Sequence, residues 1–458
     1  MAKKHVLCLL ISIILNIYFF GNMYFEKKLS WTKRAAEKAE AVAAISCSGH
    51  GRAYVDGIVV DGMPICECNT CYGGPDCSFI IPDCSANVDG GDPLMYEPFW
   101  MENAENTAVV TSGWHRMAYS FPDHSLLSKE LEKVIRKLHK IAKNAVTEGK
   151  YIVIGVGSTQ LLNAAVHALS SENFSSSPFP AKVVAKVPHY PTYKLQTEFL
   201  QTPHYEFIGD PSMLNNTNFT GDVFEFVASP NNPIGDLESP VLVGPNVKPI
   251  SDRVYYWPQY TAIPAPVDDD LMIFSFTKLT GHAGSRLGWA IVKDVNVYNR
   301  MATYIYRANG EMPKDTLLRA LTILKVVEEK DGKKFFSSAS KILTDRWKKI
   351  SHIFSFSKRF SIQTLPTKYC SYLGTLREPS PAFAWVHCKR EADKNCSEVF
   401  AKAKIIGRPG SRFYVEDDYL RLCLVTRQDD FDMLIRRLEQ LISQEEEIDT
   451  LQAMLSSY

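Results

Sequence analysis

Residues Leu271 to Trp289 read LMIFSFTKLTGHAGSRLGW. The stretch opens on an apolar run, Leu271 to Phe276, with the length and composition of a buried strand. Ser275, Lys278 and Arg286 follow one another among small or flexible residues, Gly281, Ala283, Gly284 and Ser285. A lysine leaving a strand can form a Schiff base with an aldehyde, while the serine before it and the arginine beyond it hold a phosphate at fixed distance. An aldehyde and a phosphate on one small molecule describe pyridoxal phosphate, an electron sink for amino-acid chemistry. An isolated Ser-x-x-Lys is ordinarily a surface lysine in a loop, so the reading depends on partners elsewhere.

Those partners lie at the ends of other apolar runs. Tyr151 to Ile154 predicts a short strand, and Gly155-Val156-Gly157-Ser158-Thr159-Gln160 leads into a helix carrying Leu161, Leu162, Ala165, Val166 and Leu169. A strand, a glycine-bearing turn and a helix N-terminus make a phosphate cradle. It lacks both G-x-G-x-x-G and a Walker lysine, so a phosphate smaller than a nucleotide fits it. Ala181 to Val187 predicts a strand that ends in PHYPTY, where Tyr190 can stack on a flat ring. Val223 to Ala228 runs into SPNNPIG, and a further strand end carries Asp252, Tyr255, Tyr256 and Trp257. Asp252 is the candidate to keep a pyridine nitrogen protonated, and Asn232 and Tyr255 are placed to hold the ring's 3-oxygen. Gly157, Ser158, Thr159, Ser275 and Arg286 take the phosphate. Lys278 carries the aldehyde carbon and, once released, moves the α-proton.

Strands alternate with helices from about 130 to 330, one of them starting at Ser128 with Leu131, Val134, Leu138 and Ile141 on a face. Functional residues fall where strands end, the pattern of an open, mostly parallel α/β sheet with its ligand at the carboxyl edge. Beyond Lys333 the chain reads as helix through Trp347 and Phe354. A smaller α+β region follows, with strands near Ala382 to His387 and Tyr419 to Leu424 and a last helix showing Phe431, Leu434, Leu438 and Leu441.

The N-terminal part is different in kind. Lys3 and Lys4 precede an apolar run, Val6 to Phe25, and Glu26, Lys27 and Lys28 follow it. This predicts a secretory signal or an uncleaved signal-anchor over residues 1–28, with the rest of the chain translocated. Residues 29 to 46 predict an alanine-rich helix capped by Ser30. Six of the eleven cysteines then fall between Cys47 and Cys84. Behind a secretory segment, and with no histidine interleaved at ligand spacing, they read as a disulfide framework in preference to a zinc site; spacing alone leaves the pairing open. No metal is expected. The cluster Asp89-Gly90-Gly91-Asp92-Pro93 predicts a turn where backbone approaches something closely. SGWHRMAYSF, 112 to 121, looks too aromatic for an ordinary exposed loop. Lys+Arg and Asp+Glu are equal at 51 each in 458 residues, and no basic patch alternates with aromatics, so nucleic acid is excluded as a partner.

SPNNPIG, then D-x-x-Y-Y-W-P, then SFTKLTGHAGSRLGWA together resemble the fold-type I pyridoxal phosphate enzymes of the plant alliinase and tryptophan aminotransferase-related family. CSGHGRAYVDGIVVDGMPICECNTCYGGPDC is similar to the EGF-like domain that precedes their catalytic part. The resemblance implies an EGF-like domain at 29–85, a large cofactor domain at 86–355 and a small domain at 356–458. It implies the pairs Cys47–Cys66, Cys68–Cys77, Cys71–Cys84 and Cys388–Cys396, leaving Cys8, Cys370 and Cys423 free. Tyr190 matches the ring-stacking residue. Tyr119 matches a tyrosine that reaches the phosphate of a neighbouring subunit, which implies a homodimer. Arg421 matches the arginine that grips the substrate carboxylate, with Gly90 and Gly91 beside the substrate. The implied activity is transamination of L-tryptophan or a similar L-amino acid to a 2-oxo acid such as indole-3-pyruvate, the reaction type of auxin biosynthesis. The alternatives are an alliin lyase and a catalytically inactive secreted binding protein. The lean toward transamination rests on Gly90 and Pro93, since alliinases carry a Ser-Gly-Asp-Gly type of turn there. The expected location is a membrane-anchored luminal one, in the endoplasmic reticulum, with vacuole or extracellular space as alternatives. Asn173, Asn215, Asn218 and Asn395 head glycosylation sequons.

Overall fold

The computed structural model describes His5 and residues 11–18, 30–123, 125, 127–170, 179–214 and 221–455. The chain divides into two units, one reaching to Ile81 and including Val110–Ser112, the other formed by Pro82–Val109 and everything from Gly113.

In the first unit, helix α1 (Trp31–Ala43) starts at Ser30, whose hydroxyl accepts from the Lys33 amide. Two-residue strands follow in three hairpins, Gly51–Arg52 with Glu67–Cys68, Val59–Val60 with Met63–Pro64, and Tyr72–Gly73 with Phe79–Ile80. Such short ladders bury little, and the buried side chains here are mostly cysteines, Cys47, Cys71 and Cys77. Cross-links replace an apolar core: Cys47 pairs with Cys66 and Cys68 with Cys77, and Cys71 and Cys84 are also disulfide-bonded. This module suggests a protein of the secretory pathway. No helix among the described residues is long and apolar enough to cross a membrane. Most of Val6–Phe25 lies outside the described residues, as do Cys8, Asn173, Asn215 and Asn218.

The second unit is built on a seven-stranded sheet. In chain order its strands are β1 (Tyr151–Val156), β2 (Ala181–Ala185), β3 (Tyr205–Gly209), β4 (Val223–Ala228), β5 (Val247–Asp252), β6 (Leu271–Ser275) and β7 (Leu287–Val292), arranged β3-β2-β4-β5-β6-β7-β1. All neighbours are parallel except those of β7, which runs antiparallel to both β6 and β1. Both faces are covered. On β6, Met272 and Phe274 join one apolar cluster, while Leu271 and Ile273 join another. That two-sided burial is why the strand reads as an unbroken apolar run. Helices α2 (Lys129–Ala142), α3 (Gly157–Leu169), α4 (Thr192–Phe199), α5 (Phe276–Thr280), α6 (Val295–Asn309), α7 (Lys314–Glu328) and α8 (Lys333–Ser355) complete this part. Ser128 caps α2 by accepting from the Leu131 amide at 3.4 Å.

Beyond α8, strands β8 (Phe360–Ile362), β9 (Phe383–Cys388), β10 (Arg408–Pro409) and β11 (Tyr419–Cys423) form an antiparallel sheet ordered β8-β9-β11-β10, followed by helix α9 (Gln428–Leu455). Ala86–Asn87 pairs in parallel with Ile405–Ile406, tying residues ahead of the large sheet to this region. Cys388 is bonded to Cys396, and Cys370 and Cys423 are buried free thiols. Asn395 caps the helix that begins at Cys396, its side-chain oxygen 3.2 Å from the Glu398 amide.

One sequence expectation is overturned. The loop 112–121 is not packed: Trp114 and Tyr119 are 74% and 84% exposed. Arg116, in the left-handed region, lays its guanidinium over Phe121 at 4.7 Å, while the other aromatics project away from the chain.

Candidate active site

The strand ends converge as parallel topology requires. Ser275 closes β6, and the next residues turn directly into α5, so Lys278 sits on a single helical turn. Ser275 pairs with Gly288 on β7, and Gly288 lies opposite Gly155 on β1. A Cβ on Gly288 would stand 2.8 Å from the Ser158 amide nitrogen and 2.9 Å from the Phe274 carbonyl. Glycine alone permits that approach, which brings the lysine turn against the start of α3. Gly157 adopts φ +70°, and a Cβ there would meet the Arg286 guanidinium at 2.7 Å. The arginine thus rests against the helix N-terminus, whose free amides favour an anion.

A cavity of about 280 Å³ opens beside these groups. Lys278, Asp252, Asn232 and Tyr255 line it, with Tyr190 and Ser158. Gly90, Gly91 and Arg421 also line it. Two roomier clefts, about 430 Å³ beside Tyr151 and about 750 Å³ beside Lys140, hold none of the residues singled out from the sequence. Of the five residues expected at the phosphate only Ser158 lines the cavity; Gly157, Thr159, Ser275 and Arg286 do not, and Tyr119 is not part of it.

Lys278 Nζ donates to the Gly91 carbonyl at 2.5 Å and lies 5.7 Å from the centre of the Tyr255 ring. Burial pushes its ammonium down to about 8, a shift opposed by Asp92 and reinforced by Arg421 and Arg286. Asp252 is buried at the end of β5. Burial raises its carboxyl, while hydrogen bonds from Tyr193 and the Val254 amide pull the other way. The Tyr255 hydroxyl is pushed well up by burial. Asn231 ties the SPNNPIG turn together, its amide nitrogen donating to the Pro188 carbonyl and its oxygen accepting from the Ile234 amide. Asn232 is left to face the cavity.

Arg421, on β11, is 2% exposed. It donates to Asn232 Oδ1 at 3.0 Å and to the Asp89 and Gly90 carbonyls at 2.7 and 2.9 Å, with its guanidinium 4.0 Å from the Phe383 ring centre. Burial lowers it to about 10. Its Nη1 gives one of its two hydrogens to Asn232 and keeps the other for an incoming carboxylate.

Sequence reasoning gave no site role to Tyr193, Arg408, Asp89 or Phe383. Tyr193 bonds Asp252. Arg408 and Asp89 form a pair at 2.8 and 3.0 Å that fixes the glycine turn. Phe383 backs Arg421. Tyr193 stood in the PHYPTY run, but only the packing of α4 on β4 and β5 shows what it touches.

A buried lysine whose ammonium is lowered to about 8, a buried carboxylate and a phosphate cradle on a mostly parallel sheet, with a buried guanidinium on the antiparallel one, define a fold-type I pyridoxal phosphate-dependent enzyme. The alliinase family model, described as allinase, matches residues 86–442, and the alliinase EGF-like domain model matches residues 30–84. The chain belongs to the alliinase family, whose members depend on pyridoxal phosphate. It is 48% identical over 458 residues to tryptophan aminotransferase-related protein 4 of Arabidopsis thaliana, covering 98% of each chain. It is 43% identical over 452 residues to an alliin lyase of Allium cepa, covering 96% of this chain and 94% of that one. Among solved structures, a multiple substrate aminotransferase from Thermococcus profundus superposes with a TM-score of 0.59 at 15% identity, over 80% of this chain and 93% of the other. The residues present fit the cofactor. Gly157, lacking a Cβ, lets the Arg286 guanidinium lie against the start of α3, and the buried Asp252 borders the cavity. Among the described residues no group of side chains could hold a metal.

Proposed function

We propose that the chain is an aminotransferase acting on L-tryptophan or a similar L-amino acid and yielding the 2-oxo acid. The observation that carries the reading is the convergence of Lys278, Asp252 and Arg421 on one cavity. Bound pyridoxal phosphate supplies an aldehyde for the amino acid's nitrogen and a ring that accepts electrons from the α-carbon. Asp252 holds the ring nitrogen's proton, Tyr190 covers the ring, and Tyr255 and the Asn232 amide donate to the ring oxygen. Gly157, Ser158, Thr159, Ser275 and Arg286 hold the phosphate. Arg421 takes the α-carboxylate as a fork, next to Gly90 and Gly91. Lys278, as a neutral amine, would take the proton from the substrate's α-carbon and, as an ammonium, would hold it for return.

Gly90 and Pro93 in the turn over Lys278, and the likeness to the Arabidopsis relative, support transamination. The likeness to alliin lyases supports a second reading, elimination from S-alkyl-cysteine sulfoxides. Purified protein given L-tryptophan and a 2-oxo acid should form indole-3-pyruvate, with pyridoxamine phosphate accumulating when the acceptor is withheld. Pyruvate from the sulfoxide alone would establish the lyase. Neither product from a cofactor-loaded protein would favour another amino donor, or the inactive binding protein if no amino acid reacts.

The exposed Tyr119 supports a homodimer in which it reaches the neighbour's phosphate site. The N-terminal apolar run supports anchoring with the catalytic unit in the lumen.

Lys278 also sets a pH dependence. A lysine attacks an aldehyde only when neutral, and its proton is held with a pKa of about 8. Uptake of pyridoxal phosphate by cofactor-free protein should therefore accelerate about tenfold per pH unit below 8 and level off above it. Stopped-flow absorbance reads this directly, and a rate flat from about pH 6 to 9 would contradict the role.

A further inference from the structure

Tyr193 stands one turn beyond Tyr190 and is 1% exposed. Its hydroxyl donates to Asp252 Oδ2 at 2.8 Å, while Asp252 Oδ1 accepts from the Val254 amide at 3.2 Å. Its ring stacks on Phe226 at 4.5 Å, nearly parallel, and meets the Tyr190 ring edge-on at 5.7 Å. One side chain therefore touches both groups assigned to the cofactor ring, the carboxylate at its nitrogen and the aromatic over its face.

Two donors fix the plane of the Asp252 carboxylate. A carboxylate has about four lone-pair sites, so both oxygens keep capacity for a further donor in the cavity. Hydrogen bonds to the ionised form favour it, and here they oppose the burial that would otherwise neutralise the acid. A neutral Asp252 would be a poor partner for a protonated ring nitrogen. Phe226, on β4, makes the tyrosine rigid, since a ring sandwiched there cannot turn without opening the apolar cluster behind the sheet.

We propose that Tyr193 is the positioning residue of the cofactor ring, holding Asp252 ionised and oriented and bracing Tyr190 at the same time. This rests on the reading of Asp252 as the ring-nitrogen partner. Tyr193 touches no reacting atom, so its effect falls on cofactor retention and turnover and leaves the Arg421 carboxylate grip alone.

The test uses the full-chain holoenzyme in a double-mutant cycle. Tyr193→Phe keeps the ring and its stack on Phe226 and removes one hydroxyl. Asp252→Asn keeps the shape and removes the charge. Loss of pyridoxal phosphate on dilution is followed by visible absorbance, alongside kcat and KM for the amino donor. Tyr193→Phe should lose cofactor about tenfold faster or more, the range for a hydrogen bond to a charged group. Its kcat should fall with KM unchanged, and its effect on retention should vanish in the Asp252→Asn background. Retention equal to the parent in Tyr193→Phe, with Asp252→Asn impaired, overturns the proposal and spares the reading of the site. So does an equal effect of Tyr193→Phe in both backgrounds, which would mark simple packing. Unimpaired retention in Asp252→Asn overturns the reading itself, and the proposal with it.

Discussion

Lys278→Ala abolishes turnover of every L-amino acid, with kcat/KM falling by at least about 10⁴-fold. The substitution removes the nucleophile for the aldehyde and the acid–base in one stroke, and no other amine lines the cavity. The fold should tolerate it. The Lys278 amine donates to the Gly91 carbonyl, and its charged form is disfavoured by burial, so the truncation relieves one cost as it creates another. Urea unfolding followed by circular dichroism should give a midpoint near that of the parent. Initial rates with tryptophan, alanine and an S-alkyl-cysteine sulfoxide then read the chemistry alone. Lys278→Arg restores the charge without an amine that can form the covalent link, and should be as inactive. Full turnover by either variant would remove the basis of the assignment.

Arg421 carries the second large effect. Arg421→Ala would leave the Asp89 and Gly90 carbonyls and Asn232 without their donor and open a void beside Phe383, mixing lost stability with lost binding. Arg421→Lys is cleaner, because it keeps a cation and loses the planar fork. A buried, hydrogen-bonded charge contact is worth about 2–5 kcal/mol when one partner is removed, and the lysine should lose a good part of that. The expected result is a KM for the amino donor raised by about 30-fold or more, with kcat changed far less. An unchanged KM would mean that the carboxylate binds elsewhere.

Much of this was legible in the sequence, and the reasons differ by element. Strand β6 could be read because both its faces are buried, which leaves no polar residue to break the run. Its neighbour β7, Leu287–Val292, is equally apolar but follows directly on a glycine-rich loop that read as flexible. Asn232 announced itself in the turn after the Val223–Ala228 run, and Asp252 by the aromatic cluster Tyr255, Tyr256 and Trp257 that follows it. Arg421 did not. It alternates with leucines on a strand, and its position over the cavity depends on pairing with Trp385 across β9 and on carbonyls more than three hundred residues earlier. Only family likeness singled it out. Tyr193 looked like its neighbours because its bond to Asp252 joins helix α4 to the end of β5, an adjacency the chain does not spell out. The loop at Tyr119 misled because aromatic composition alone does not set burial: Trp114 and Tyr119 stand exposed.

The most direct measurement is borohydride reduction of the holoenzyme, which fixes the cofactor's carbon to whichever amine holds it. Peptide mass spectrometry should find the added pyridoxyl group on the peptide containing Lys278, and the visible absorbance should disappear in step. A pyridoxyl group on another lysine, or none on a protein that still transaminates, would contradict the account.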